Sequence, residues 1–175
     1  LEAERRNGDL EVCRTIYCGS FSKTLSPGLR VGWVCAAMPV ISQLVLMKQA
    51  ADLHSATLNQ IAVASVAEQH FDSHIDTIRS AYRARRDAML EALQAHMPEG
   101  VSWTKPEGGM FIWVTLPDTL DGADLLKQSL ESERVAFVPG HAFFADGSGR
   151  NTLRLSYSTS TEGKIAEGIE RLGQL

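Results

Sequence analysis

One spacing pattern dominates this sequence. Ile75, Ile78, Tyr82, Met89, Leu93 and Met97 recur at intervals of three and four residues, or sums of these. That periodicity places them on one face of an α-helix over 75–97. Arg79, Arg83, Arg86 and Glu91 lie among them, and Pro98 and Gly100 end the pattern. The helix divides the chain into a front part (1–70), a connecting helical stretch (71–97) and a compact α/β part (98–175). In the front part, strand-like runs at 12–18 and 29–36 enclose a Ser/Gly/Pro loop at 19–27. Pro39 suits the first turn of a helix over 40–51. The Ala-rich stretch 58–69 predicts a further, well-buried helix. Behind the long helix, 101–104, 110–116, 135–138 and 151–157 read as strands. Stretches 123–133 and 161–172 read as helices, with turns at 106–109 and 139–140. Strands and helices mix throughout, so the fold class is α/β. There is no internal repeat and no low-complexity tract.

Composition narrows the function classes. Of 175 residues, 44% are hydrophobic and 22% charged, which excludes a disordered tail. Lys and Arg number 17 against 21 Asp and Glu, a formal net charge of −4. That balance argues against binding nucleic acid by broad phosphate attraction. The longest mostly apolar stretch, 31–47, is interrupted by Gly32, Pro39, Ser42 and Gln43. It falls short of the roughly 20 residues that span a bilayer and reads as strand, break and helix. Cys13, Cys18 and Cys35 are odd in number and none are spaced CxxC. Reduced thiols in a cytoplasmic protein are the expectation, rather than a disulfide framework or a zinc knuckle. The chain opens on Leu1 rather than Met, with a polar 1–9 stretch and no apolar signal segment. It reads as the middle of something longer.

The densest polar segment is Gly19-Ser20-Phe21-Ser22-Lys23-Thr24-Leu25-Ser26-Pro27-Gly28-Leu29-Arg30. Such a loop can turn backbone N–H groups and hydroxyls toward an anion, and Arg30 adds a fork of donors suited to phosphate. It is not a Walker A loop, because Ser22 stands where a glycine would precede the lysine. Taken alone, Lys23 reads as a solvated loop lysine. In the strand 152–156, Thr152, Arg154 and Ser156 share one face and Leu153 and Leu155 the other. An arginine on a half-buried strand needs a partner. A local carboxylate and a bound anion are both open to it. Three other clusters read as ordinary. His70 and His74, at i and i+4, lack a third ligand and read as solvated polar residues. Arg83, Arg85 and Arg86, followed by Asp87, read as a solvated helix face. Gly147-Ser148-Gly149 lacks the GxSxG spacing of a nucleophile elbow.

Ser20-Phe21-Ser22-Lys23-Thr24-Leu25-Ser26-Pro27-Gly28-Leu29-Arg30-Val31-Gly32-Trp33 resembles the cofactor-lysine segment of fold-type I, pyridoxal-phosphate-dependent class I/II aminotransferases. The 2-aminoadipate/kynurenine aminotransferase branch is the most similar. The resemblance continues through Tyr82-Arg83-Ala84-Arg85-Arg86-Asp87-Ala88-Met89, Trp103-Thr104-Lys105-Pro106-Glu107-Gly108-Gly109-Met110-Phe111 and Val138-Pro139-Gly140. It ends in Asn151-Thr152-Leu153-Arg154-Leu155-Ser156-Tyr157-Ser158.

The resemblance implies a fold made of the end of the cofactor-binding large domain (1–70), the connecting helix and the small C-terminal α/β domain. It implies pyridoxal 5'-phosphate as cofactor and α-amino acids and 2-oxo acids as substrates. Lys23 would form the Schiff base with the cofactor, and Ser20, Ser22 and Arg30 would hold its phosphate. Arg154 would clamp the substrate α-carboxylate, and Gly108 and Gly109 would shape the loop near the substrate side chain. His54, Asn59 and Gln60 fall where the family presents residues across a dimer interface, so a homodimer is expected. The family's upstream half carries the Asp on the pyridine nitrogen, the ring-stacking aromatic, the Asn on the phenolic oxygen and a phosphate loop. None has a place here, so the 175 residues alone are expected to be catalytically incomplete. The same branch supplies the effector domain of MocR/GntR-type regulators, the alternative reading. In that case nucleic acid would be bound by an upstream domain.

Overall fold

The structure, a computed structural model, describes residues 2–175. These fall into two compact units, divided between Asp76 and Thr77. Both mix helix and strand, as the sequence predicts. Among the described residues, no helix is long and apolar enough to cross a membrane.

The first unit opens with a short helix, α1 (Glu2–Arg5). Strands β1 (Tyr17–Ser20) and β2 (Gly32–Cys35) pair antiparallel, from Tyr17 opposite Cys35 to Ser20 opposite Gly32. Pairing starts later than the predicted strand at 12–18, because the Cys13 N–H turns back to the Leu10 carbonyl at 3.1 Å. Gly19 is required where it stands: a Cβ there would lie 2.3 Å from the Trp33 ring, which itself packs on Tyr17. Helix α2 (Met38–Ala51) follows with Pro39 in its first turn, as predicted. Its N-terminal Met38 N–H donates to the Glu11 carboxylate at 3.1 Å.

Helix α3 runs unbroken over Thr57–His96, 40 residues. The sequence reading places separate helices over 58–69 and 75–97. They join because no glycine or proline lies between Thr57 and His96, so nothing interrupts the hydrogen-bond ladder. The expected burial of 58–69 is not found. Leu58 is 77% exposed and Ile61 61%, while Val63 is buried. An Ala-rich helix supplies apolar surface, but burial needs a covering layer. Among the described residues the first unit offers besides α3 a two-stranded hairpin, α2, the four-residue α1 and one 3₁₀ turn.

The second unit has a full core. Strands β3 (Ser102–Trp103), β4 (Phe111–Thr115), β5 (Val138–Pro139) and β6 (Thr152–Ser156) form an antiparallel sheet in the order β3-β4-β6-β5. Ile112 and Val114 of β4 and Leu153 and Leu155 of β6 alternate onto one face. There they join Met89, Ala92 and Leu93 of α3 and Ile165, Ile169 and Leu172 of the last helix (Glu162–Leu172) in one cluster. Leu93 and Ile112 are fully buried.

Helix α4 (Gly122–Gln128) starts at Asp121, whose carboxylate accepts from the Ala123 N–H at 2.8 Å. Its predicted continuation to residue 133 widens into a π-type turn, Ser129–Glu133. That turn uses up residue 135: the Val135 N–H donates to the Ser129 carbonyl, and the buried Ser129 hydroxyl donates back to the Val135 carbonyl at 2.8 Å. The strand expected at 135–138 therefore begins only at Val138.

The arginine cluster on α3 is also more than a solvated face. Arg83 is exposed, but Arg85 donates to the Ser158 carbonyl at 2.6 Å and Arg86 to the Pro106 carbonyl at 3.2 Å. Their long stems lie along the protein while the guanidinium heads tie down two loops.

The core and its caps set two expectations for stability. Leu93→Ala should lower the unfolding free energy by about 2–5 kcal/mol, read from denaturant melts, because it leaves a cavity in a filled site. The Asp121 carboxyl is held below its ordinary range by the Ala123 N–H first and the Arg150 guanidinium second. A depressed carboxyl stabilises the fold above its unfolded value, about 3.9, and loses that contribution as pH falls through the folded value. Asp121→Asn should therefore flatten the fall of stability with acidification below about pH 4.

Candidate functional site

Between β1 and β2 the chain closes a compact loop. The Phe21 N–H donates to the Val31 carbonyl at 3.0 Å, and the Phe21 carbonyl accepts from Leu25 at 2.8 Å and Ser26 at 3.1 Å. A single 3₁₀ turn, Pro27–Leu29, leads to Arg30, which adopts the left-handed conformation with φ 53° and ψ 40°. A side chain in that region costs about 1–2 kcal/mol, so something must hold it. The Asn59 amide does part of this, donating to the Leu29 carbonyl at 3.0 Å. Arg30 then folds over its own loop, donating to the Pro27 carbonyl at 3.3 Å and the Ser22 hydroxyl at 3.4 Å.

Ser20, Ser22 and Arg30 are thus brought together. The Ser20 hydroxyl accepts from the Ser22 N–H at 3.1 Å, and the Ser22 hydroxyl faces the guanidinium. Arg30 touches only neutral oxygens, and no carboxylate pairs with it among the described residues. Lys23 lies in the same loop, exposed, and hydrogen-bonds to none of these three. His54 and Gln60 both contact the Ser55 carbonyl, at 2.7 and 2.9 Å, and Asn59 serves the loop of its own chain. Among the described residues, no group of three or more His, Cys, Asp or Glu side chains could hold a metal.

Arg154 and Gly109 belong to the second unit. Arg154 sits at the middle of β6, opposite Trp113 of β4 on one side and Val138 of β5 on the other. Alternation puts Phe111 and Trp113 on its face of the sheet, away from the apolar core. The Arg154 Cζ lies 4.0 Å from the centroid of the Phe111 ring and 4.6 Å from that of Phe143. Trp113 meets Phe143 edge-on at 5.6 Å, with the rings at 74°. The Arg154 Nε is buried without a hydrogen-bond partner. Among the described residues, no carboxylate pairs with this guanidinium, so the local salt bridge that the sequence leaves open is not formed. Gly109 has φ +86°, a conformation that favours glycine, and open space where a Cβ would be. Its neighbour Gly108 accepts at its carbonyl from the buried Tyr157 hydroxyl at 3.4 Å, and burial pushes the Tyr157 hydroxyl pKa up.

Phe143 and the loop-holding role of Asn59 lie beyond what the sequence pattern conveys. Alternation along β4 already groups Phe111 with Trp113, but nothing in the spacing brings Phe143 to Arg154 from 11 residues upstream. A turn must do that: Gly140–Phe143 forms a 3₁₀ turn. A Cβ on Gly140 would lie 1.9 Å from the Thr152 hydroxyl and 2.9 Å from the Trp113 ring, so the turn can approach β6 and β4 only with glycine there.

Among the described residues, two guanidinium groups have no carboxylate partner, one beside a hydroxyl loop with a lysine and one on a strand lined with aromatic rings. The chain belongs to the aminotransferase class I and II family, whose model matches residues 3–172. It is 49% identical over 159 residues to the 2-aminoadipate transaminase of Thermus thermophilus, covering 91% of this chain and 40% of the relative. It is 36% identical over 156 residues to an uncharacterised HTH-type transcriptional regulator of Bacillus subtilis, YisV, covering 89% and 32%. Among solved structures, the α-aminoadipate aminotransferase LysN of Thermus thermophilus, complexed with N-(5'-phosphopyridoxyl)-L-leucine, superposes with a TM-score of 0.91 at 47% identity. That match covers 99% of this chain and 43% of LysN. The chain therefore spans about two fifths of the length of the aminotransferases it matches.

The loop geometry yields a direct test. Asn59→Ala should cost about 1 kcal/mol in denaturant unfolding through loss of the bond to Leu29. Asn59→Asp should cost more, because a carboxylate cannot donate and would face a carbonyl oxygen.

Proposed function

We propose that this chain is part of a pyridoxal-phosphate-dependent aminotransferase, which moves an amino group between an α-amino acid and a 2-oxo acid. The observation that carries the reading is the unpaired Arg154 guanidinium. A cation half-buried on a strand without a carboxylate is costly unless an anion arrives to meet it. The planar fork of a guanidinium matches a carboxylate in two parallel hydrogen bonds. An α-carboxylate is the group every α-amino acid and 2-oxo acid share, so one clamp serves both substrates.

The hydroxyl loop fits the cofactor. Ser20, Ser22 and Arg30 offer two hydroxyls and an uncompensated positive charge in a loop closed on its own backbone. That donor set suits a phosphate dianion, and these three residues would hold it. Pyridoxal phosphate, when bound, supplies an aldehyde that receives the amino group and a ring that draws electrons from the substrate Cα. Lys23 is the nucleophilic amine of this loop and would attach the cofactor covalently. As free base, the same amine is the chain's candidate to take the proton at the substrate Cα and return it in the reverse half of the exchange.

We assign residues 1–70 to the end of the cofactor-binding large domain, 71–97 to a connecting helix and 98–175 to the small C-terminal domain. The working protein is a homodimer. The three free cysteines of this chain suit a reducing compartment such as the cytoplasm. Likeness to YisV supports a second reading, in which the same segment serves a regulator as a ligand-binding domain. Specific DNA binding by the full-length parent, with no turnover of amino donors, would favour it.

The test of the leading reading is covalent. Borohydride treatment of the full-length protein loaded with pyridoxal phosphate should leave the reduced cofactor's mass on the peptide containing Lys23. Lys23→Ala should carry no such mass and should lose amino transfer by several orders of magnitude. Wild-type turnover persisting in that variant would refute the assignment.

A further inference from the structure

We propose that Phe111 and Phe143 are positioning residues for the substrate carboxylate, acting through Arg154. The proposal rests on the reading of Arg154 as the carboxylate clamp and deepens it. The Arg154 Cζ lies over both rings, at 4.0 Å from one centroid and 4.6 Å from the other. A ring face attracts a cation through its quadrupole but accepts no strong hydrogen bond. The two phenyls therefore fix where the guanidinium sits and leave its donors to an incoming anion. A carboxylate partner from the protein would hold the arginine equally well, but would occupy those donors.

Neither ring is there for the core. Phe143 is 50% exposed and Phe111 36%, and neither belongs to the apolar cluster beneath the sheet. Their side of the sheet is the one that carries Arg154. Phe143 is itself held, since Trp113 meets it edge-on from the strand position directly opposite Arg154. Trp113, Phe143 and Arg154 thus form a relay of contacts, with Phe111 joining from β4. Without the rings, a long flexible side chain must lose rotamer freedom each time it meets its anion.

The test uses the full-length protein with its cofactor bound and two donors, an α-amino acid and the corresponding amine without a carboxylate. Phe143→Leu keeps an apolar side chain but removes the ring. It should raise KM for the amino acid roughly 3- to 30-fold with kcat within about twofold, the range a cation–π contact supplies. The amine should react with variant and wild type alike. Phe143→Tyr, which keeps the ring, should restore the amino acid KM, and Phe111→Leu should behave as Phe143→Leu does. Unchanged KM in both leucine variants would overturn the proposal. So would equal losses for amine and amino acid, or a tyrosine variant no better than leucine. Arg154→Gln, measured in parallel, separates the two levels. If it leaves the preference for amino acid over amine intact, the clamp itself is wrong. If it abolishes that preference while the leucine variants keep it, only the role of the rings fails.

Discussion

A guanidinium without an anion has to be held by something other than charge, and the second unit is arranged around that requirement. The pairing of β4 with β6 sets Trp113 opposite Arg154 and Phe111 opposite Ser156. A shift of one residue would turn Arg154 into the apolar layer and put both Leu153 and Leu155 outside. Register there is secured by the buried face, where Ile112, Val114, Leu153 and Leu155 meet the helices. The chemistry on the outer face is therefore fixed by apolar packing on the inner one.

The first unit solves a similar problem with other means. Among the described residues, no aromatic ring stacks on Arg30. The loop closes instead through the Phe21 backbone, and it keeps Arg30 in an unfavourable conformation by bonding the carbonyl just before it. The cation there touches a hydroxyl and a carbonyl, both neutral and both at long distance. Such weak contacts orient a guanidinium without neutralising it. The two arginines share a logic: each is positioned by groups that carry no negative charge.

Much of this is legible in the residues. Alternation in 152–156 assigns Arg154 to the face opposite the two leucines, and the structure agrees. The density of hydroxyls around Lys23 marks the loop. What spacing cannot convey is anything dependent on a long-range partner. The Ala-rich part of α3 carries the composition of a buried helix, yet its burial depends on a covering layer that composition does not specify. Arg85 and Arg86 look like surface charges until the carbonyls of Ser158 and Pro106 arrive beside them from elsewhere in the chain. The late start of β5 follows from a wide turn at 129–133 whose hydrogen bonds claim residue 135, and no local propensity announces such a turn. Phe143 stands in the same class, because a turn decides what it touches.

That turn depends on the smallest residue in the chain. Gly140 has neither charge nor side chain, yet the space a methyl group would take there is already filled by the Thr152 hydroxyl and the Trp113 indole. Any replacement pushes on the strand that bears the arginine and on the indole that steadies its neighbouring ring. On the proposed role of Arg154, recognition of a ligand's negative end would be vulnerable at a residue with no functional group of its own, and a survey of natural or engineered variants that weighed only chemical functionality would overlook it.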